Sequence, residues 1–249
     1  MGYDKGKINN KMVKSSTYKD FNSKTFGKYK ALDFGKVYLR KVTNFLEKIN
    51  DKKGLRVLDI GCADGSFSKY LKDLGFEVYG VDISKEAIDN AKRLGINAMI
   101  HDVSKKFSFE DGFFDIVVMM EVIEHVYDTD FLLDEINRIT KKDGILIITT
   151  PNLGSFENRI RLLIGKYPRL VEYRLGKNCS GHIRNYTKSV LISQLKEHKF
   201  SIIKSVTTNI PFPIYAKVPK ILKEIAIRLG DLRLFSSFGY QLIIIAKKV

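Results

Sequence analysis

The sequence has 249 residues, 44% of them hydrophobic and 29% charged, enough to bury the core of one large domain. Two cysteines, Cys62 and Cys179, argue against a disulfide scaffold and for a reducing, cytoplasmic setting. Residues 1–14 lack the apolar stretch of a signal peptide, and no run of about 18 apolar residues is available to span a membrane.

In chain order, residues 1–30 are rich in Lys, Asn and Ser and predict a basic flexible arm ahead of a single domain over 31–249. Apolar residues at Phe34, Val37, Tyr38, Val42, Phe45, Leu46 and Ile49 predict an amphipathic helix within 32–49. An alternation follows. Strands are predicted at 56–60, 77–81, 97–100, 115–120 and 145–150, with helices at 67–74, 85–94 and 130–140 between them. Gly75 and Gly95 end the first two of these helices, Ser84 starts the second, and Asp143-Gly144 closes the third. A helix at 187–199 and strands at 201–206 and 241–246 complete the pattern, interrupted by insertions at about 153–180 and 209–238. Strands alternating with helices predict a doubly wound α/β sheet.

The charge is unevenly placed. Residues 31–150 carry seventeen Lys/Arg against twenty-one acids, whereas residues 151–249 carry eighteen against five. The basic excess of the net +15 therefore flanks the core and leaves an anionic substrate, nucleic acid or a membrane surface open as partners.

The most informative segment is Val57-Leu-Asp-Ile-Gly-Cys-Ala-Asp-Gly65, a strand running into a glycine turn and then a helix. Backbone can approach a nucleotide cofactor closely where side chains are absent. A dinucleotide fingerprint wants glycine at the first, third and sixth turn positions, and here those are Gly61, Ala63 and Ser66. The Gly-Lys-Ser/Thr end of a phosphate loop is absent as well. Further along, Glu121-Val-Ile-Glu-His125 puts two carboxylates and an imidazole within five residues at a strand end, and His182 is available from a distant loop. Such ligands suit Mg²⁺, Mn²⁺, Fe²⁺ or Zn²⁺. Without a metal, His125 is the best general base.

Five motifs in order resemble the class I S-adenosylmethionine-dependent methyltransferases: Leu58–Gly65, Val78–Ser84 with Asp82 ending the second strand, His101-Asp-Val103, Phe114–Val126 and Gly144–Asn152. The resemblance implies a Rossmann-like seven-stranded sheet whose last strand is antiparallel, and a substrate lid built from the two insertions. It implies that Asp59, Gly61, Cys62, Ala63, Gly65, Asp82, Ile83, Asp102, Val103 and Glu121 surround the cofactor. Ala63 departs from the glycine usual there. Asp82 would accept both ribose hydroxyls, Ile83 would pack on adenine and Asp102 would accept from its amine. Glu121, His125 and His182 become candidate catalytic residues, and Glu121, Glu124, His125 and His182 a candidate metal set.

The Glu-x-x-Glu-His element resembles two methyltransferase groups, the ubiquinone-biosynthesis O-methyltransferases and the small-RNA 2′-O-methyltransferases. The expected reaction is methyl transfer to an oxygen (nitrogen and carbon stay open) of a small, anionic or lipophilic acceptor. RNA 2′-O-methylation and a non-catalytic regulatory subunit are the alternatives. The insertions are basic. Arg159, Arg161, Lys166, Arg169 and Arg174 lie among apolar residues, and Lys217, Lys220, Lys223 and Arg228 flank the stripe Ile221, Leu222, Ile225, Leu229. A basic lid suits an anionic acceptor, and a basic amphipathic helix can also lie on an anionic bilayer.

Overall fold

The central strands read as near-continuous apolar runs because both of their faces are covered. In the computed structural model, which describes residues 36–172, 179–209, 219–232 and 234–249, Leu58 and Ile60 of β1 (Arg56–Ile60) face one core while Val57 faces another. The first core is closed by α4 (Thr129–Ile139) and α6 (Lys188–Glu197), the second by α1 (Val37–Glu47) and α2 (Ser66–Asp73). The remaining elements are β2 (Glu77–Asp82), α3 (Lys85–Arg93), β3 (Asn97–Ile100), β4 (Phe114–Met120), β5 (Thr140–Pro151), α5 (Phe156–Leu163), β6 (Phe200–Thr207), α7 (Lys220–Leu229) and β7 (Gln241–Lys248). The expected arm at 1–30, Phe34, Arg174 and Lys217 lie outside the described residues.

The seven strands follow the order β3-β2-β1-β4-β5-β7-β6. β7 is antiparallel to both of its neighbours, and all other pairings are parallel, as the resemblance implies. Ile60 pairs with Val81 and with Met119, so the ends of β1, β2 and β4 are level and deliver Gly61, Asp82 and Glu121 to one edge of the sheet.

Helix starts follow ordinary capping chemistry. The side chains of Ser84, Asp128, Ser155 and Thr187 accept from the backbone N–H three residues on. α2 has no side-chain cap at its N-cap, Gly65, which is left-handed at φ 79°.

One boundary differs from expectation. β5 begins at Thr140 rather than Ile145, because Thr140 already pairs with Phe114 before the register shifts and resumes at Ile116 with Ile145. Asp143 (φ 65°) and Gly144 mark that irregularity inside the strand instead of closing the preceding helix, which ends at Ile139. Among the described residues, no helix is long and apolar enough to cross a membrane.

Candidate active site

The glycine turn is built by the end of β2. The amides of Gly61 and Cys62 both donate to the Val81 carbonyl, at 2.8 and 3.0 Å, and Gly65 N–H donates to the Cys62 carbonyl at 2.9 Å. Two glycines are required sterically. A Cβ on Gly61 (φ 75°) would lie 2.5 Å from Val122 Cγ2, and one on Gly65 would lie 2.6 Å from Ala91 Cβ and 2.7 Å from Ala91 Cα. Ala63 adopts φ 47°, so the residue that replaces the family's glycine still takes the left-handed conformation.

Beneath the turn, Asp59 is fully enclosed and accepts from Ser68 Oγ at 2.6 Å. Burial raises its pKa to about 7 despite that bond. Asp82 accepts Ala63 N–H on Oδ2 at 3.0 Å and Ser84 N–H on Oδ1 at 2.8 Å. Both of its oxygens therefore already brace the turn. Burial raises its pKa too, opposed by those backbone donors. The Cys62 side chain does not face the edge. It packs with Ile88, Ala91, Ile96 and Ala98, its sulfur 2.8 Å from where a Cβ on Gly80 would sit, and burial pushes its thiol up. Asp102 accepts from the Ser104 amide and hydroxyl at 3.1 and 2.7 Å. Ile83 and Val103 are half-buried beside these acids. Gly61, Gly65 and Asp82 thus leave a side-chain-free cradle with a carboxylate beside it, which fits an adenosine-bearing cofactor.

Glu121 follows β4 in the left-handed conformation (φ 55°), uncommon for a residue with a side chain. Its amide donates to the Thr149 carbonyl at 3.0 Å, and its carboxylate accepts from Thr149 Oγ1 at 2.8 Å and Gln241 Nε2 at 2.9 Å. Glu124 and His125 come next, on a 3₁₀ turn (Ile123–His125). Burial raises the pKa of both glutamates, and Glu121 adds to the rise at Glu124.

Glu124 Oε2 accepts from Thr150 Oγ1 at 3.0 Å, while Oε1 is buried with no hydrogen-bond partner among the described residues. His125 Nδ1 is 3.0 Å from the Gly181 carbonyl, and His182 Nδ1 is 3.0 Å from the Leu170 carbonyl. In their neutral forms both imidazoles then donate from Nδ1 and carry the lone pair on Nε2. Burial, with His182 adding to it, lowers the His125 pKa to about 4 against the Gly181 contact.

Ligand atoms of Glu124, His125 and His182 all lie within 4.8 Å of one another. Glu121 stands outside that group, since its turn sends it toward Thr149 and Gln241. The donor set of one carboxylate and two imidazoles, with an orphaned carboxylate oxygen, fits a divalent transition ion.

These groups line a cavity of about 450 Å³ together with Lys36, Tyr38, Thr208, Asn209, Tyr240 and Gln241. The sequence gives little signal for these wall residues, because they come from α1 and from either end of the β6–β7 connection. Gln241 alone could have been noticed, as a polar residue opening the apolar run Leu242–Ala246. Glu172 has no sequence signal at all. It accepts from the amides of Ser180, Gly181 (2.7 Å) and His182 (3.1 Å) and so fixes the loop that carries His182.

A methyltransferase domain model matches residues 31–205. The chain belongs to the S-adenosylmethionine-dependent methyltransferase domain family. The chain is 34% identical over 140 residues to a Pelagibacter ubique protein named ubiquinone biosynthesis O-methyltransferase, covering 51% of this chain and 58% of the relative. A protein of the same name from Sinorhizobium fredii is 37% identical over 105 residues, 40% of this chain and 42% of that one. The chain thus spans about half the length of these curated relatives. Among solved structures, magnesium protoporphyrin IX methyltransferase from Synechocystis, with bound SAH, superposes with a TM-score of 0.61 at 16% identity, covering 94% of this chain and 99% of that one. At that identity the likeness is one of fold.

Proposed function

We propose that this methyltransferase moves a methyl group from S-adenosylmethionine to an oxygen of a small acceptor held in the cavity between Glu121 and His182. One observation carries the reading. The cavity that gathers Glu121, Glu124, His125 and His182 opens beside the glycine turn, since Gly61 abuts Val122, the residue after Glu121. Its volume of about 450 Å³ lies within the usual range of small-molecule sites, roughly 300–1,000 Å³. The names of the curated relatives favour oxygen as the methyl acceptor.

Bound S-adenosylmethionine supplies an electrophilic methyl carbon. Gly61 and Gly65 would admit its methionine part, Asp82 would accept its ribose hydroxyls on the lone pairs left by Ala63 and Ser84, and Asp102 would accept from its adenine amine. Glu121, held by Thr149 and Gln241, would stand between cofactor and acceptor. Glu124, His125 and His182 would hold a divalent ion, which supplies Lewis acidity toward an acceptor hydroxyl. His125, neutral at physiological pH by its lowered pKa, would take up the acceptor proton on Nε2 when no ion is held. α5 and α7 act as the lid, and Tyr240 of the cavity wall donates to Glu157 of α5.

Calorimetric titration with S-adenosylmethionine is expected to show one site, and the absence of binding would sink the enzyme reading in favour of a regulatory subunit. Asp82→Ala is expected to raise the dissociation constant about 100-fold, from two lost charge-assisted hydrogen bonds of about 1.5 kcal/mol or more each. Labelled methyl should enter the small-molecule fraction of a cell extract and not its RNA, and label in RNA overturns the acceptor reading. Mn²⁺ or Zn²⁺ should bind once per chain. Glu124→Gln or His182→Ala should weaken that binding at least tenfold, and a chelator should depress turnover to a similar degree. Turnover indifferent to both chelator and Glu124→Gln would remove the metal.

A further inference from the structure

A cavity that takes a lipophilic molecule is lined mainly by hydrocarbon side chains. The cavity beside Glu121 is not. Among the described residues of its wall, Val37 alone has a side chain of hydrocarbon only, and every other side chain there carries oxygen or nitrogen.

Part of that polar capacity is used within the protein. Thr149 and Gln241 hold Glu121, Thr208 Oγ1 accepts from Gln241 N–H at 3.1 Å, and Tyr240 donates to Glu157. What remains falls into two sets. The first is Glu124 Oε1, buried without a hydrogen-bond partner among the described residues, and Nε2 of His182, whose Nδ1 is taken by the Leu170 carbonyl. Both atoms accept, directly or through an ion. The second set comes from α1 and from the ends of β6 and β7. Asn209 is only 9% exposed, and its amide has no hydrogen-bond partner among the described residues. Gln241 gives Nε2 to Glu121 at 2.9 Å and keeps Oε1. Lys36 has no ion pair among the described residues. This second set therefore offers donors and acceptors together.

The hydroxyl is the group that answers both sets, because it donates one hydrogen bond and accepts others. Hydrocarbon laid against Asn209 and Glu124 would leave each of them desolvated and unpaired. A site built to bond a hydroxyl rejects an analogue without it by roughly ten-thousandfold. A catechol would satisfy the first set with its adjacent hydroxyls and turn ring carbons toward the second. An acceptor rich in carboxylates would meet Glu121 and Glu124. Tyr38 and Tyr240 add aromatic rings to the wall, and such rings suit the C–H face of a sugar.

We propose that the acceptor is a sugar, free or activated, whose hydroxyls pair with Asn209, Gln241 and Lys36 while another hydroxyl is presented at Glu124 and His182 and methylated. The inference rests on the cavity being the acceptor site, as proposed above. The hydroxyl oxygen gains a bond to the methyl carbon as the carbon–sulfur bond breaks. That electron pair stays on sulfur, and the hydroxyl proton leaves to His125 or to water.

The test uses the full chain, labelled S-adenosylmethionine and the small-molecule fraction of a source-cell extract. Acid hydrolysis of the labelled product is expected to release the label as a water-soluble methyl ether of a sugar. With the same fraction as acceptor, Asn209→Leu should raise the half-saturating amount at least tenfold, and Lys36→Met several-fold. The cofactor dissociation constant should stay unchanged in both. Lys36 is exposed, so its variant is expected to fold even if Asn209→Leu does not.

Label recovered after hydrolysis in an aromatic or prenylated product overturns the proposal, and so does unchanged half-saturation in both variants. Those results leave the cavity standing as the acceptor site. A preparation that binds the cofactor in calorimetry yet labels no fraction of the extract sinks the acceptor-site reading, and this inference with it.

Discussion

Gly65→Ala is expected to lower the melting temperature by about 6–12 °C, the equivalent of about 3 kcal/mol in a domain of this size, and to abolish measurable cofactor binding. Two separate costs add. A side chain at φ 79° pays roughly 1–2 kcal/mol for the left-handed conformation. The new methyl also meets the backbone and Cβ of Ala91 at 2.7 and 2.6 Å, in the last turn of α3, and forcing that contact costs about 1–3 kcal/mol more. Gly54 separates the two. It too has a positive φ, 82°, but a Cβ there meets nothing within 4 Å. Gly54→Ala should therefore cost only the conformational part, about 1 kcal/mol, and leave cofactor binding intact. Equal losses for the two variants in scanning calorimetry would refute the claim that close approach of α3 to the turn is what requires glycine.

Asp59 should give the second large effect, and it is one of pH. Its folded pKa of about 7 lies above the unfolded value of 3.8, so the folded state holds the proton more tightly. The associated stability is present in full below about pH 4 and is lost as pH rises to about 7. Three units correspond to a ceiling on the order of 4 kcal/mol. His125 runs the other way. Its lowered pKa makes stability rise with pH between about 4 and 6.5. The informative quantity is therefore the difference between wild type and Asp59→Asn in urea denaturation. The wild type should lose ground to the variant by about 2–3 kcal/mol between pH 5 and pH 8, within that ceiling. A constant difference across that range would mean that Asp59 is not held protonated by its burial against Ser68.

The parallel half of the sheet was legible in the sequence because its central strands are mostly apolar runs, with Gly61 after β1 and Asp82 at the end of β2 marking two of the ends. Strands β1 and β3 fall where the pattern places them, and β2 and β4 differ by one residue. β5 was misjudged at its start, because Thr140-Lys-Lys-Asp-Gly144 has turn chemistry, and only pairing with Phe114 reveals it as an irregular strand. In the site, the cradle residues come from one β-α-β unit and share one local pattern. The acceptor cavity does not. Gln241 reaches Glu121 across 120 residues, and Lys36, Thr208 and Tyr240 arrive from equally remote segments. Pattern reading also grouped Glu121 with Glu124 and His125. The left-handed turn at Glu121 separates it from the cluster, and no spacing rule anticipates a positive φ on a glutamate.

The place of β7 has a consequence for how the molecule is made. β7 is the last strand to be synthesised, yet it lies between β5 and β6 and is the neighbour that β6 pairs with. Until residues 241–248 have left the ribosome, the outer side of β5 has no partner and β6 has none on its inner side. The nascent chain therefore carries two open sheet edges through the synthesis of α7 and the turn behind it. The five parallel strands, β3-β2-β1-β4-β5, are all contained in the chain by residue 151, well before β7 begins at Gln241. Leu242-Ile-Ile-Ile-Ala246 fills a slot one strand wide between β5 and β6, a slow kind of pairing because its partners on β5 are about a hundred residues away. Closing that slot also delivers Gln241 to Glu121, so the acceptor wall and the sheet are finished in the same event.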